Sequence, residues 1–279
     1  MDFEMISYEG LTEEMFVLPL SEQPWLSGNK NINPKIYIGL SRWTYRENLK
    51  KKNSPPPQPG TPGFYSALFN AIELNATHDD IPDTEKINKW YRSVERSDFN
   101  FCPEFYKGIT HSGPIGLTKM GITNEFIKRM REFKEKLGVS FLQLPHLQQP
   151  AKENIIAYLK LLPRDFPLSI GFTHEEWFTN PGLLSEFIKE LNTLNIGTVI
   201  TDTPARRDTV HMQLSNGNAF IRFYCQGDHE LDLFRIEQWK KQLRSWFLQG
   251  LEKCYFFLHI QSQTAEEDFI NYVQYELKF

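Results

Sequence analysis

The chain contains eight short apolar runs, and each of them meets a polar residue where it ends. Near-continuous apolar runs of this length are typical of parallel β-strands that are buried on both faces. Helical patterns separate most of the runs, so the sequence predicts an α/β fold, a single (β/α)8 barrel of the TIM type. In such a barrel functional residues lie at the carboxyl ends of the strands, so the polar residues should collect on one rim. The runs begin at Ile36, Ala71, Phe99, Val139, Leu168, Gly197, Ala219 and Cys254.

The length of 279 residues is ordinary for one barrel, so we expect a single barrel domain over residues 35–279. Residues 1–34 precede the first strand and are expected to form an arm that packs on the barrel. A lysine run and clustered prolines at residues 50–62 predict a long loop after the first strand, on the rim side. A mobile lid and an ordinary surface loop both fit this pattern.

The formal net charge of -4 offers no general attraction to nucleic acid or to anionic lipid, so a nucleic-acid partner is disfavoured. No run reaches membrane-spanning length, which excludes a membrane partner of that kind. The three cysteines, Cys102, Cys225 and Cys254, form no C-x-x-C motif and cannot all pair. We therefore expect structural thiols in a cytoplasmic protein. The composition specifies neither a cofactor nor an oligomeric state.

Helical spacing is clearest at residues 84–96 and 124–137. Asp83 is the expected N-cap of the first of these helices, and Gly138 is the expected C-cap of the second. A stripe that includes Trp239 and Trp246 is expected to pack in the core rather than to bind a ligand. Later helices are predicted at residues 154–162, 182–194, 233–251 and 264–277.

Residues two apart on a strand point the same way, so Glu73 and Asn75 share one face of the second strand. A buried Glu73 needs a partner, because an isolated carboxylate out of water is costly or becomes protonated. Arg222 on the seventh strand is the candidate. A structural ion-pair network that closes the barrel is the alternative to a ligand site. The residues that should converge at the mouth are Ser41, Glu73, Asn75, Gln143, Asp202, Arg222 and, conditionally, His259.

Several short motifs resemble the domain-of-unknown-function 72 family, also called YecE-like, in their order and spacing. They are residues 38–43 (IGLSRW), 72–77 (IELNAT), 99–104 (FNFCPE) with His111, and 142–145 (LQLP). The resemblance runs from about residue 36 to the C-terminus, and it implies a TIM-type barrel without an established reaction. The family positions that this chain matches are Ser41, Trp43, Glu73, Asn75, Thr77, Thr110, His111, Gln143, His174, Trp177, Asp202 and Arg222.

The chain also departs from the family pattern. Glu104 stands where the family has a lysine, which reverses the local charge and should weaken anion binding unless Lys107 supplies the lost charge. Several of the other lost groups are ones that a catalyst or an anion site would use. The family has an aromatic pair where this chain has His78 and Asp79. It has a glutamate and an arginine where this chain has Gly171 and Thr173, and a histidine-glycine where this chain has Tyr224 and Cys225.

The function that these residues favour is the binding of a small polar or anionic molecule at the rim, with the positive charge supplied by Arg222. The chain is not assigned as an enzyme. If it is one, Glu73 is the predicted general base and His111 the predicted acid. The other predicted ligand-binding residues are Ser41, Trp43, Asn75, Gln143, His174 and Asp202.

Two alternatives stay open. The first is a degenerate, non-catalytic scaffold, which accounts for the substituted positions. The second is a metal-dependent isomerase, hydrolase or nuclease, because carboxylate and imidazole groups are ligands that divalent ions take. Its ligands would be Glu73, His111, His174 and Asp202, which lack a diagnostic close spacing.

Overall fold

The computed structural model describes residues 11–21, 25–43, 61–144, 152–225, 230–260 and 266–279. Each of the eight apolar runs overlaps a strand within these ranges. The runs are therefore correct indicators of strands. The strands are β1 (Lys35–Leu40), β2 (Ala71–Leu74), β3 (Asn100–Pro103), β4 (Ser140–Leu144), β5 (Leu168–Phe172), β6 (Gly197–Asp202), β7 (Asn218–Cys225) and β8 (Lys253–Ile260).

Six strands form one parallel sheet in the order β1-β8-β7-β6-β5-β4, and β2 and β3 form a separate parallel pair. Single contacts cross between the two sheets. The Asn70 side chain donates to Ile36 O at 2.8 Å and accepts from Ile38 N at 2.7 Å. This side-chain amide thus bonds the backbone groups of β1 that a neighbouring strand would otherwise bond. On the other side, an isolated parallel bridge joins Glu104 to Phe141. The fold is thus α/β with parallel strand pairing.

The strand residues divide into two apolar clusters according to the face on which they lie. One, which we call the central cluster, takes residues from every strand except β5. The larger cluster contains the residues of the opposite faces together with the helices packed on them. The central cluster consists of Tyr37, Ala71, Cys102, Val139, Phe141, Val199, Phe220, Tyr255 and Phe257.

Helices alternate with the strands. Four short 3-10 turns, at Glu13–Phe16, Leu117–Lys119, Arg131–Lys136 and Arg207–Thr209, complete the regular structure of the described residues. The helices there are α1 (Pro62–Leu68), α2 (Ala76–Asp79), α3 (Thr84–Ser93), α4 (Lys107–Thr110), α5 (Met120–Met130), α6 (Lys152–Leu159), α7 (Glu176–Thr179), α8 (Pro181–Thr193), α9 (Glu230–Leu248) and α10 (Glu266–Glu276).

The predicted N-cap of α3 is confirmed, because the Asp83 side chain accepts a hydrogen bond from Lys86 N at 2.7 Å. The predicted C-cap at Gly138 is wrong. Helix α5 ends at Met130, and the following 3-10 turn contains a backbone reversal. Gly138 instead lies against β3, where a Cβ atom would come within 2.6 Å of Cys102 Sγ. Close packing, rather than helix termination, explains the glycine.

The part of the predicted arm that the structure describes contacts α9 and the segment after it. Phe16 is buried against Leu231. Asn31 Nδ2 donates to Leu251 O at 2.7 Å, and Trp246 Nε1 donates to Ser21 Oγ at 3.2 Å. The predicted loop after β1 falls largely at residues 44–60, outside the described residues.

Two further expectations concern the core. The three cysteines are buried and form no disulfide among the described residues, as expected of structural thiols. Trp239 and Trp246 are also fully buried, so the helical stripe is core packing. None of the helices within the described ranges combines the length and the hydropathy that a membrane crossing needs.

Candidate functional site

A buried ion pair lies at the carboxyl ends of the strands. Arg222 on β7 donates from Nη2 to Glu73 Oε1 at 2.8 Å and from Nε to Oε2 at 3.1 Å. The Glu73 side chain is fully buried, and the Arg222 side chain is 9% exposed. The expected pairing of these residues is therefore observed. It joins β2 to a strand that is not its neighbour in either sheet.

His259 on β8 completes the environment of the carboxylate. Its Nε2 lies 3.0 Å from Glu73 Oε2, and the Tyr224 ring stacks on the imidazole with 4.1 Å between centroids. Burial lowers the pKa of His259, and the positive charge of Arg222 lowers it further. Together these two effects outweigh the opposite effect of Glu73, which raises the pKa. The ring is therefore neutral at neutral pH, and Nε2 donates because an ionised carboxylate can only accept.

Glu73 is held in its ionised form. Burial raises the pKa of this carboxyl, but Arg222 and His259 more than offset that effect and leave it at about 2. Both oxygens are occupied by protein donors, and the side chain has no exposed surface. A general base must reach the ligand and release its proton near neutral pH, so this geometry does not favour the role of Glu73 as a base, which stays a prediction.

A second carboxylate, Glu104, extends this group of residues. With its nitrogen turned toward the carboxylates, the Asn75 amide donates to Glu73 Oε1 and to Glu104 Oε2, each at 3.1 Å. Glu104 Oε1 lies 3.3 Å from His78 Nδ1. Burial raises the pKa of Glu104, although Arg222 and His78 act in the opposite direction. We call Glu73, Arg222, His259, Asn75 and Glu104 the strand-end network.

Lys107 does not replace the positive charge that is absent because Glu104 stands where the family has a lysine. Its Nζ is bound to Asp79 at 2.9 Å, in an exposed pair. Arg222 is consequently the cation of the strand-end network. Its Nη1 makes no hydrogen bond to any of the described residues, so this nitrogen is available to a ligand.

Two polar side chains on β4 and just after β5 are buried without a partner. Gln143 Oε1 and Thr173 Oγ1 accept and donate no hydrogen bond within the described part of the chain. Gln143 is 7% exposed and Thr173 is 3% exposed. Gly171 pairs with Gln143 in the sheet register, and a Cβ atom there would collide with the Gln143 amide. Buried polar groups are normally satisfied, so an unpaired pair here needs an explanation.

Gln143 and Arg222 approach the same region. The Arg222 guanidinium lies 5.3 Å from the centre of the Phe141 ring, and Phe141 precedes Gln143 by two residues on the same face of β4. Gln143 itself makes no hydrogen bond to the strand-end network within the described ranges. The expected single network is thus correct for Asn75 and wrong for Gln143.

Asp202 does not lie with Arg222, contrary to expectation. In the β6–β7 register Arg222 pairs with Thr201, so Asp202 lies on the opposite face, toward α9. There Asp202 Oδ1 accepts from Arg235 Nη2 at 2.7 Å, and Oδ2 accepts from Trp239 Nε1 at 2.6 Å. Arg207 also binds Oδ1. We call Asp202, Arg235, Trp239 and Arg207 the helix-side network.

Two other predicted ligand-binding residues are used in packing or in a turn. Trp43 packs edge-on against Tyr65, with 5.5 Å between ring centroids, within the larger apolar cluster. His174 Nδ1 accepts from Glu176 N at 3.4 Å, at the start of α7. Neither residue contacts the strand-end network in the described part of the chain. Ser41 follows β1 and is half-buried.

His111, the predicted acid, is exposed at the end of α4. Its ring meets the His78 ring edge to face, with 5.0 Å between centroids, and its Nδ1 lies 2.6 Å from Thr110 Oγ1. His111 therefore reaches the site through His78. The sequence reasoning did not select His78 as a functional residue. The spacing alone carries no signal of its contact with Glu104.

The metal alternative does not match the geometry of the described residues. No group of three or more His, Cys, Asp or Glu side chains is placed there to hold a metal ion. Of the four proposed ligands, Glu73 is occupied by Arg222 and His259, while Asp202 belongs to the helix-side network. The structure does not bring the four ligands together.

The fold defines a class of parallel α/β proteins for which related crystal structures exist. A DUF72 family protein from Enterococcus faecalis matches with a TM-score of 0.65 and 16% identity, covering 88% of this chain and 98% of that one. A DUF72 family protein from Thermotoga maritima matches with a TM-score of 0.58 and 18% identity, covering 87% and 98%. At these identities the likeness concerns the fold alone.

The family model described as protein of unknown function DUF72 matches residues 37–278. The chain therefore belongs to the DUF72 family, as its motifs predicted. No curated protein matches the chain significantly.

Proposed function

We propose that the eight strands close into a single (β/α)8 barrel over residues 35–279, with residues 1–34 as an arm packed on it. The central cluster supports closure, because strands of both sheets contribute to it. The Glu73–Arg222 pair supports it as well, since it joins β2 to β7 across that cluster. The side chains above the cluster then form the mouth of the barrel.

We propose that this mouth binds a small polar molecule that carries hydroxyl groups and one anionic group. The observation that carries the proposal is the buried, unpaired state of Gln143 Oε1 and Thr173 Oγ1 among the described residues. A buried oxygen without a partner costs about 1–3 kcal/mol, and a bound hydroxyl group would recover that cost. The ligand therefore needs donors at these two positions.

Arg222 Nη1 is the group that we assign to the anionic end of the ligand. Two of the three guanidinium nitrogens neutralise Glu73, and the third points to no described protein acceptor. Glu104 nearby limits the attraction for highly charged anions. A carboxylate with hydroxyl groups fits this balance better than a phosphate monoester, which carries nearly two negative charges at neutral pH, or a bare polyanion.

A thermal-shift screen of inorganic phosphate, sugar acids and sugar phosphates tests the proposal. We expect a probe with hydroxyl groups to raise the Tm of the wild type, and Thr173→Val to weaken that shift. Ser140→Ala is the matched control, because Ser140 Oγ is also buried and unpaired among the described residues, but at the start of β4. Equal ligand responses in both variants, or none in the wild type, would overturn the proposal and favour a scaffold.

A further inference from the structure

We propose that His78 is the proton-transferring group of this site, with Nε2 as the exchanging atom and Glu104 as its positioning residue. The inference rests on the proposed binding of a hydroxylated ligand in the mouth. It replaces Glu73, which is occluded, with a side chain that is 23% exposed. His78 lies on α2, which directly follows the carboxyl end of β2.

The hydrogen bonds of His78 determine which nitrogen carries the hydrogen in the neutral ring. Nδ1 lies 3.0 Å from the backbone oxygen of Phe105. A carbonyl oxygen can only accept, so Nδ1 must be the N–H nitrogen. Nε2 then carries the lone pair, and it makes no hydrogen bond to the described residues. The ring is therefore oriented to accept a proton at Nε2.

Glu104 is placed to stabilise the ring once it is protonated. Its Oε1 lies 3.3 Å from the same Nδ1 atom, and its Oε2 accepts at 3.1 Å from the Asn75 amide with its nitrogen turned toward the carboxylates. The hydroxyl of Thr77 donates to the backbone oxygen of Glu104 at 2.7 Å, which holds the residue beside α2. A carboxylate that orients the N–H of a histidine and stabilises its imidazolium form is a recurring arrangement in acid–base sites.

The other charged or titratable groups around His78 do not replace Glu104. Asp79, on the same helix, is bound to Lys107, and His111 meets the ring edge to face. Arg222 lies beyond Glu104 and acts on that carboxylate. Glu104 is thus the carboxylate in direct contact with His78 among the described residues.

The proposed step is a proton transfer that needs no other reactant. The O–H bond of a ligand hydroxyl breaks, and an Nε2–H bond forms on His78. The bonding pair stays on the ligand oxygen. The positive charge on the imidazole is balanced by Glu104.

Nitrogen NMR of the unmodified protein tests the assignment without a ligand or a variant. We expect His78 to be an Nδ1–H tautomer at a pH where its ring is neutral. His174 is an internal reference of the opposite form, because its Nδ1 accepts from a backbone N–H. An Nε2–H tautomer at His78 would overturn the inference.

Carbethoxylation by diethylpyrocarbonate, mapped residue by residue at a pH above the histidine range, tests the role of Glu104. This reagent acylates an unprotonated imidazole nitrogen. We expect rapid modification of His78, slowed several-fold in Glu104→Gln and unchanged in the control Asp79→Asn. Equal rates in Glu104→Gln and wild type would refute the positioning role. Neither measurement uses a ligand, so failure here is separate from failure of the thermal-shift screen.

Discussion

Two buried ionic networks lie close together in the sheet but on opposite faces of it. In the helix-side network, Asp202 receives Arg235, Trp239 and Arg207, and its side chain and that of Arg235 have no exposed surface. In the strand-end network, Glu73 is equally buried, but Arg222 keeps a nitrogen without a protein acceptor in the described ranges. In the first network both terminal nitrogens of the arginine are bound by protein acceptors, and in the second one terminal nitrogen is without such an acceptor in the described ranges.

The difference separates a structural role from a binding role. A buried charge is tolerated only when it is paired and hydrogen-bonded, so both networks must satisfy their carboxylates. In a network that served only to hold the fold, we expect protein acceptors on both terminal nitrogens of the arginine, as on Arg235. The strand-end network instead lies beside Phe141, two residues before Gln143, whose Oε1 is unpaired among the described residues. We therefore expect stability to depend on both networks and ligand binding on one.

The largest expected effect is on the helix-side network. Asp202→Asn removes the buried carboxylate shared by Arg235, Arg207 and Trp239, while Arg235 keeps Asp232 at 2.6 Å, and removing one partner of a buried pair costs about 3–5 kcal/mol. Urea unfolding measures the loss, and the ligand-induced Tm shift of the folded variant should be retained. A loss below about 1 kcal/mol would mean that solvent reaches this network.

Arg222→Met should destabilise by a smaller amount, about 3 kcal/mol, because Glu73 keeps His259 and Asn75 as partners. Unlike Asp202→Asn, it should also abolish the ligand-induced Tm shift. Arg244→Met is the control, since Arg244 is exposed and stacks on Phe279, and its effect should stay within about 0.5 kcal/mol. Ligand binding that survives Arg222→Met would erase the distinction between the networks.

Arg222 and Asp202 also show how much of the site could be predicted from the sequence. The strands were predictable because burial on both faces leaves a local apolar signature, and the Glu73–Arg222 pair because a buried carboxylate needs a cation. The expectation for Asp202 is wrong because a polar residue at a strand end can lie on either face of the sheet. Asp202 is one residue beyond Thr201, the register partner of Arg222, and a shift of one residue changes the face.

The contact between His78 and Glu104 belongs to a different category. It joins the helix after β2 to the residue after β3, and its geometry depends on how the two strands pair. No residue pattern within either segment predicts the distance between His78 and Glu104. The two residues are, however, positions at which the chain departs from its family pattern. The sequence shows that each of these positions departs from the family pattern, but it does not show that the two residues contact one another.

The pH dependence of stability should distinguish the two carboxylates of the strand-end network. The pKa of Glu73 falls on folding to about 2, so its contribution is complete above the unfolded value and is lost as pH falls from about 4.5 toward 2. The full loss is about 3 kcal/mol. The pKa of Glu104 is raised, so its contribution has the opposite sign and is lost as pH rises through its folded pKa.

Glu104→Gln separates the two contributions in urea unfolding from pH 2 to pH 7. The variant should keep the acid-side loss that belongs to Glu73, and it should gain stability relative to the wild type as pH rises through the folded pKa of Glu104. A variant curve that runs parallel to the wild-type curve over this range would contradict the raised pKa of Glu104.

The variant with the smallest expected effect on stability tests most directly whether Gln143 contributes to ligand binding beside the strand-end network. Gly171→Ala places a Cβ atom in the space now filled by the end of the Gln143 side chain. That amide is flexible and can move, so we expect a change of less than about 1 kcal/mol in the free energy of unfolding. The ligand-induced Tm shift should nevertheless decrease, because Gln143 Oε1 leaves the position where it faces the ligand. Gly121→Ala is the control, since a Cβ atom there meets open space. An unchanged ligand response in Gly171→Ala would exclude Gln143 from the site, while a large loss of stability would show that its amide is held as rigidly as the helix-side network.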